Sequence, residues 1–208
     1  MIKLKKPLVI VANGDFPVHP KPINILNKAK FILACDGATD TLINNGYTPS
    51  AIIGDIDSIS RQNKKTYNNK LIIEKDQHQN DLRKAINYAI KQNINNISII
   101  GSSGKREDHT IGNIFSLFEY IKTNIKIYTD TGFFTCIYKP SKIKSFKGQQ
   151  VSIFSQNYDT IITSNNLKYN FNKRNISNIF EGTLNESISD EFELKFSNGA
   201  LLIFQVYK

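Results

Sequence analysis

Short apolar runs alternate with helix-like segments over the first two-thirds of this 208-residue chain. Apolar runs separated by helical segments are typical of repeated strand-helix units and predict a parallel sheet. Between the runs, apolar residues recur every three or four positions, which predicts amphipathic helices. The runs are Leu8 to Ala12, Phe31 to Cys35, Ala51 to Ile53, Leu71 to Ile73, Ile97 to Ile100 and Ile125 to Tyr128. The helical positions are Leu82, Ala85, Ile86, Ala89 and Ile90, then Ile111, Ile114, Phe115, Phe118 and Ile121.

The pattern changes from about Thr131, where helical spacing disappears and short β-rich segments follow one another closely. The last two of these segments flank Asn198-Gly199, a dipeptide that predicts a β-hairpin turn. The expected fold is therefore α/β, with an N-terminal, mostly parallel open sheet flanked by helices and a smaller C-terminal all-β, sandwich-like domain. We place the α/β domain at residues 1–132 and the β-domain at 133–208.

Composition narrows the class of protein only slightly. The chain carries 27 Lys and Arg against 18 Asp and Glu, a formal net charge of +9, but the lysines are scattered and no basic aromatic motif of the nucleic-acid-binding kind is present. Cys35 and Cys136 lack the spacing of a disulfide framework or a zinc ribbon. The absence of a long apolar run and of a secretory leader pattern favours a cytoplasmic protein with neither membrane nor nucleic-acid partners.

Acidic and amide side chains follow almost every predicted strand. The carboxyl ends of parallel strands meet at one rim of the sheet, where ligands bind, so these residues should lie close together. Crowded carboxylates repel unless a cation sits among them, and oxygen ligands without His or Cys favour Mg²⁺. Asp55 and Asp57 are the strongest pair, whereas Asp81 and Ser58 could simply cap helices. The rim residues are Asn13-Gly14-Asp15, Asp36-Gly37, Gly54 to Ser58, Asp76-Gln77 and Asn80-Asp81.

The loop from Gly101 to Thr110 contains two glycines and leads into a predicted helix, an arrangement that can present backbone N–H groups to phosphate. Arg106 adds a cationic side chain to this loop. The spacing is not that of a Walker motif, which argues against the P-loop class. His109 is equally compatible with a structural hydrogen bond, and we assign it no proton transfer.

In order along the chain, these segments resemble the thiamine pyrophosphokinase family. The matching segments are Asn13-Gly14, Cys35 to Ala38, Gly54 to Ser58, Asp76-Gln77 with Asn80 to Leu82, and Arg106 to Asn113. The resemblance covers the whole chain and implies an ATP-dependent diphosphotransferase that converts thiamine and ATP to thiamine diphosphate and AMP, usually as a homodimer.

The resemblance also implies roles for individual residues. Asp55, Asp57 and Asp81 would hold Mg²⁺ and, with Arg106, form the catalytic set. ATP would be bound by Asn13, Gly14, Asp36, Gly37, Arg106, Asp108 and Thr110. Thiamine would be contacted by Gln77, Thr183 and Asn185.

Three departures from the family pattern leave alternatives open. Asn80 stands in place of the usual Thr before Asp81, Lys105 replaces a glycine before Arg106, and Leu184 lies where a serine is usual. The altered C-terminal position keeps open a pyrophosphokinase acting on another alcohol, such as a pterin. A non-catalytic nucleotide-binding protein and, from the net charge of +9, a nucleic-acid-binding protein are the remaining alternatives.

Overall fold

The computed structural model describes residues 2–208, and the chain divides into two compact units. The first unit contains the residues up to Ile114 together with Thr123–Asp130. The second contains Phe115–Lys122 together with Thr131–Lys208. The segment Phe115–Lys122 thus groups with the second unit, whereas the predicted boundary at 132/133 assigned it to the first domain.

Six parallel strands form the sheet of the first unit. Their spatial order is β4-β3-β2-β1-β5-β6. The chain moves outward from β1 to β4 and then crosses to the other side of β1, so β1 and β5 flank a topological switch point, where such sheets bind ligands. The strands are β1 (Leu8–Val11), β2 (Phe31–Cys35), β3 (Ala51–Gly54), β4 (Leu71–Ile73), β5 (Asn96–Ile100) and β6 (Asn124–Tyr128).

Five α-helices connect these strands. In α4 the residues Leu82, Ala85, Ile86 and Ala89 are buried, as their spacing predicted. The Asn80 side chain accepts a hydrogen bond from the Arg83 N–H at 2.9 Å, so Asn80 is the N-cap of α4 and Asp81 its first residue. The helices are α1 (Pro20–Asn27), α2 (Thr39–Asn44), α3 (Arg61–Thr66), α4 (Asp81–Lys91) and α5 (Glu107–Phe115).

Two helix predictions need correction. The predicted helix through Ile121 ends at Phe115, a 3₁₀ turn follows over Ser116–Glu119, and Ile111 lies on the exposed side of α5. Ser60, not Ser58, caps α3, because its hydroxyl accepts the Asn63 N–H at 3.3 Å. Ser58 instead donates its backbone N–H to Asp36.

The second unit contains eight strands in two antiparallel sheets, ordered β12-β9-β14-β7 and β11-β10-β13-β8. Side chains from both sheets, including Ile153, Phe192 and Ile203, form one buried core. The strands are β7 (Gly132–Ile137), β8 (Ser141–Lys144), β9 (Gln150–Ser155), β10 (Ile162–Asn165), β11 (Asn172–Arg174), β12 (Asn185–Glu186), β13 (Glu191–Phe196) and β14 (Leu201–Val206).

The predicted hairpin across Asn198-Gly199 is wrong. β13 pairs with β8 and β10, while β14 pairs with β7 and β9, so this turn passes from one sheet to the other. Gly199 has the positive φ of +68° that such a turn requires, and the Thr160 hydroxyl donates to the Asn198 side-chain oxygen at 2.9 Å. Local turn chemistry therefore predicted the turn but not the strands' partners.

Cys35 and Cys136 are both free thiols, and burial raises the pKa of each. Over residues 2–208, no helix combines the length and apolar character needed to cross a bilayer.

Candidate active site

The loops that follow β1 and β5 are joined by backbone hydrogen bonds at the switch point. The N–H of Gly14 donates to the Gly101 carbonyl at 2.6 Å, and that of Asp15 donates to the Ser103 carbonyl at 2.8 Å. A Cβ on Gly14 would collide with the Ser103 carbonyl, so only glycine allows this approach. The paired loops form one wall of a cleft at the carboxyl end of the sheet.

This cleft has a volume of about 250 Å³. Of the residues that sequence reasoning assigned to ATP, Asn13, Gly14, Arg106 and Thr110 line it, whereas Asp36, Gly37 and Asp108 do not. Asp81 lines the cleft too. The lining further includes Lys105 and several residues to which the sequence analysis gave no ligand role, among them Cys35, Asn80, Ser102, His109 and Asn113.

Three aspartates converge beside the ends of β2 and β3. Carboxylate oxygens of Asp36, Asp55 and Asp57 all lie within 4.8 Å of one another. Asp36 is fully buried; its Oδ2 accepts the Ser58 N–H at 3.2 Å, while its Oδ1 has no hydrogen-bond partner. Burial, reinforced by the charges of Asp81 and Asp57, raises the pKa of Asp36 despite the backbone hydrogen bonds that oppose this. A buried, unpartnered oxygen among carboxylates matches the donor set of a hard cation such as Mg²⁺.

Asp81, predicted to complete the metal set, forms an ion pair with a lysine in this structure. The Lys84 ammonium lies 3.0 Å from Asp81 Oδ1, one helical turn along α4, and the Lys84 side chain is only 5% exposed. Burial alone would lower the pKa of Lys84, but the hydrogen bond to Asp81 and the surrounding carboxylates raise it. Sequence reasoning missed Lys84, although a lysine beside Leu82 and Ala85 on the buried face of α4 was a visible signal.

Asp81 nevertheless lies close to the aspartate cluster because Gly54 has no side chain. A Cβ at Gly54 would stand 2.6 Å from the Cβ of Asp36 and 3.1 Å from the Asp81 carboxylate. Gly54 thus separates two acidic side chains that would not fit around a larger residue. The carboxylate within 4.8 Å of those of Asp55 and Asp57 is that of Asp36, and the metal role of Asp81 stays a prediction.

The loop carrying Asp55 and Asp57 is held in place by polar contacts. Ile56, between them, is buried and has a φ of +67°, a strained conformation for a β-branched residue. The Lys64 ammonium donates to the Ile56 carbonyl at 2.8 Å. The loop's conformation is therefore imposed by its surroundings rather than chosen by its sequence.

Asp40 anchors the far end of this loop. Its carboxylate accepts the Ser60 N–H and the Ser60 hydroxyl, both at 2.9 Å, and the Asn63 amide at 2.6 Å. These hydrogen bonds outweigh the effect of burial and lower the pKa of Asp40. Nothing in the sequence alone distinguished Asp40 from an ordinary surface residue of α2.

Arg106 forms a bidentate ion pair with Asp108. Its Nε and Nη2 lie 3.0 and 2.6 Å from the two carboxylate oxygens, and both side chains are more than half exposed. The guanidinium lowers the pKa of Asp108 to about 2. Thr110, in α5, donates its hydroxyl to the Arg106 carbonyl at 3.0 Å. Arg106, the predicted phosphate-binding residue, thus lines the cleft while its charge is paired with that of Asp108.

Two family models match almost the whole chain. The thiamin pyrophosphokinase catalytic domain matches residues 23–129, and the thiamin pyrophosphokinase substrate-binding domain matches residues 132–204. The chain belongs to the thiamin pyrophosphokinase family. The resemblance predicted from the ordered motifs is therefore confirmed.

Individual relatives agree with this assignment. The thiamine pyrophosphokinase of Bacillus subtilis is 32% identical over 126 residues, which cover 59% of this chain and 59% of that protein. Thiamin pyrophosphokinase 1 of Caenorhabditis elegans is 31% identical over 113 residues, covering 50% of this chain and 46% of that protein. The matched part of this chain thus spans less than two-thirds of the length of these relatives.

Solved structures confirm the predicted fold class. The crystal structure of the Bacillus subtilis thiamine pyrophosphokinase superposes with a TM-score of 0.81 at 23% identity, over 97% of this chain and 99% of that one. The yeast thiamin pyrophosphokinase superposes with a TM-score of 0.79 at 17% identity, over 96% of this chain and 86% of that one. At these identities the comparison establishes the α/β unit and the antiparallel β unit of the thiamin pyrophosphokinase fold.

The three residues that the family resemblance assigned to thiamine lie in different units. Gln77, in the first unit, donates its amide to Asp55 Oδ2 at 3.1 Å, a bond that lowers the pKa of Asp55. Thr183, in the second unit, donates its hydroxyl to the Phe180 carbonyl at 2.6 Å. Asn185 is buried, and its amide bonds both the N–H and the carbonyl of Tyr169. In this structure Thr183 and Asn185 therefore serve local backbone contacts.

Proposed function

We propose that this chain transfers the diphosphate group of ATP to the hydroxyl of thiamine, giving thiamine diphosphate and AMP. The observation that carries the proposal is the carboxylate cluster of Asp36, Asp55 and Asp57 next to a polar cleft at the switch point of a parallel sheet. Membership of the thiamin pyrophosphokinase family, with both of its domains matched, supports the identity of the two substrates.

The residues present fit a magnesium ion. Asp36, Asp55 and Asp57 would hold Mg²⁺, which when bound neutralises phosphate charge and polarises the diphosphate for displacement. The unpartnered Oδ1 of Asp36 supports this assignment, because a buried carboxylate oxygen without a donor is costly unless a cation satisfies it. Asp81 lies adjacent to the cluster and pairs with Lys84 in this structure, and it remains our third proposed magnesium ligand from the family resemblance.

The chain's own residues would act mainly by positioning the substrates. Asn13, Gly14 and Thr110 would contact ATP in the cleft, and Arg106 would counter the charge that develops on the phosphates. Diphosphate transfer by in-line attack depends mostly on alignment and charge neutralisation, so rigid walls matter more than a strong base. The hydrogen-bonded loops at Gly14 and Gly101 supply such a wall.

Gln77, Thr183 and Asn185 remain our proposed thiamine contacts, and a homodimer in the cytoplasm remains our proposed state. Gln77 is the best supported of the three contacts, because its amide already touches Asp55, next to the proposed diphosphate site. The acceptor alcohol would then lie beside the carboxylate cluster, where its hydroxyl can face the transferred group.

The proposal is tested by incubating the purified protein with ATP, MgCl₂ and thiamine and measuring AMP and thiamine diphosphate by chromatography. We expect equal amounts of the two products. Asp57→Asn should reduce turnover by at least a hundredfold, because it removes one negative charge of the cluster and replaces a carboxylate oxygen by NH₂. Asp190→Asn is the matched control, since Asp190 is an exposed carboxylate in the second unit, and it should behave like the wild type.

Three results would contradict the proposal. AMP formed only with another alcohol would assign a different acceptor, and no AMP with any acceptor would leave only nucleotide binding. Wild-type turnover by Asp57→Asn would refute the role of the carboxylate cluster.

A further inference from the structure

Lys105 occupies an unusual place in the cleft. It is exposed, it lines the cleft, and its φ of +37° follows a φ of +86° at Gly104. A lysine rarely adopts a positive φ, since the Cβ crowds the backbone. The turn that places Lys105 here therefore directs its side chain into the cleft region against the residue's own conformational preference.

The charge of Lys105 is not neutralised by a carboxylate. Within residues 2–208, the hydrogen bond described for its ammonium goes to the neutral side-chain oxygen of Asn13, at 2.8 Å. The other cation of the cleft lining, Arg106, is paired in bidentate fashion with Asp108. Of the lysine and arginine side chains lining the cleft, Lys105 is thus the one that offers uncompensated positive charge.

The hydrogen bond between Lys105 and Asn13 is also easily replaced by a bond to another partner. Both side chains are exposed, so water competes for the same donors and acceptors. A phosphate oxygen carries negative charge, whereas the Asn13 amide oxygen is neutral, so the Lys105 ammonium is attracted more strongly to phosphate. An entering polyphosphate would therefore displace the Asn13 oxygen from Lys105, and Asn13 would be released to contact the ligand itself.

We propose that Lys105 is a substrate-binding residue that contacts the polyphosphate chain of ATP, with Asn13 as its partner in the unliganded protein. This inference rests on the proposed function, because it places ATP in the switch-point cleft. Lys105 contributes to the binding of ATP in the ground state by attracting its negative charge. Arg106 stays paired with Asp108 until the nucleotide is bound. Gly37 maintains the arrangement, since a Cβ there would collide with the Asn13 amide.

The test combines nucleotide binding with steady-state kinetics. Lys105→Gln removes the charge and keeps the turn, Lys105→Arg keeps the charge, and Lys147→Gln removes an exposed lysine of the second unit as a control. Calorimetric titration with ATP in MgCl₂ measures binding without turnover. We expect Lys105→Gln to weaken ATP binding and raise the KM for ATP by about tenfold, with kcat within about twofold of wild type. Lys105→Arg should restore most of the affinity.

Salt dependence separates a charge contact from a packing effect. The wild-type affinity for ATP should fall with added NaCl more steeply than that of Lys105→Gln, because one ionic contact is missing in the variant. Equal ATP affinity and equal salt dependence in Lys105→Gln and Lys147→Gln, in an active wild type, would overturn the role of Lys105 and leave the proposed function standing.

The two proposals fail in different ways. A wild type that binds ATP through Lys105 but forms no thiamine diphosphate would overturn the proposed function alone. A wild type that binds no ATP would overturn both.

Discussion

Replacing Asp36 by Asn tests whether the aspartate cluster is built for a cation at the expense of stability. Asn has nearly the same shape, can keep an oxygen for the Ser58 N–H, and would turn its NH₂ toward Asp55 and Asp57. The substitution therefore removes one negative charge from the cluster and replaces the unpartnered oxygen by a donor. In the absence of metal, it should stabilise the first unit.

The size of the effect follows from the geometry. At 4.8 Å, the upper limit of the distances within the cluster, two unit charges in an effective dielectric of about 20 repel by about 3.5 kcal/mol. Asp57 is exposed, and solvent screening reduces this repulsion, so we expect a net gain of about 1 kcal/mol in the free energy of unfolding. A bound cation would reverse the order, because ligand binding stabilises only the form that can bind it.

The measurement is urea unfolding followed by far-UV circular dichroism, since the chain has no tryptophan. In EDTA the Asp36→Asn midpoint should lie about 0.5 M above that of the wild type. In 10 mM MgCl₂ the wild type should gain stability and the variant should gain little, while Asp190→Asn should follow the wild type in both buffers. A variant that is destabilised in EDTA, or that gains as much from MgCl₂ as the wild type, would refute the reasoning.

Three further changes probe the surroundings of the site. Asp40→Ala should cost about 2 kcal/mol at pH 7, because two hydrogen bonds from Ser60 and one from Asn63 are lost. Since the pKa of Asp40 is lowered in the folded state, this contribution is lost as the pH falls through that pKa. Urea unfolding at pH 7, 5, 4 and 3 should therefore show that the difference in free energy of unfolding between wild type and variant shrinks only below about pH 4. A difference that does not depend on pH would contradict the role of the Asp40 charge. Lys84→Met should cost about 2 kcal/mol by leaving Asp81 unpaired, and adding Asp81→Asn should recover much of the loss in urea unfolding; no recovery would argue against the pair. Leu184→Asn should raise the free energy of unfolding by about 0.5 kcal/mol, because Leu184 is 82% exposed at a φ of +57°, which Asn tolerates better; a lower urea midpoint would show that Leu184 makes a stabilising contact.

The sequence was informative wherever a local rule coincides with the tertiary environment. The apolar runs at Leu8 and Ala51 became central strands because buried parallel strands need side chains that are apolar on both faces. The helical spacing of apolar residues correctly predicted α4, because one face of that helix packs against the sheet. Asn13 and Gly14 were found because ligands bind at the carboxyl ends of the strands in an open parallel sheet.

Local rules failed where the partner is distant along the chain. The grouping of Asp36 with Asp55 and Asp57 depends on how far β2 and β3 extend, and Gly54 sets the distance to Asp81. The pairing of Asp81 with Lys84 was hidden by the expectation that a buried helix face is apolar. The turn at Asn198-Gly199 was recognisable, but strand pairing depends on contacts spread over the whole second unit.

By itself, the sequence determined the α/β and β organisation, the rim of polar residues and the family, because these follow from periodicity and from residues in fixed order. Only the tertiary structure decided which carboxylates converge. It also decided that Lys84 forms an ion pair with Asp81, that Asp108 forms one with Arg106, and that the charge of Lys105 is not paired with a carboxylate. The physical reason is that charge balance in a cleft depends on distances between side chains from different loops, and those distances are set by packing rather than by spacing along the chain.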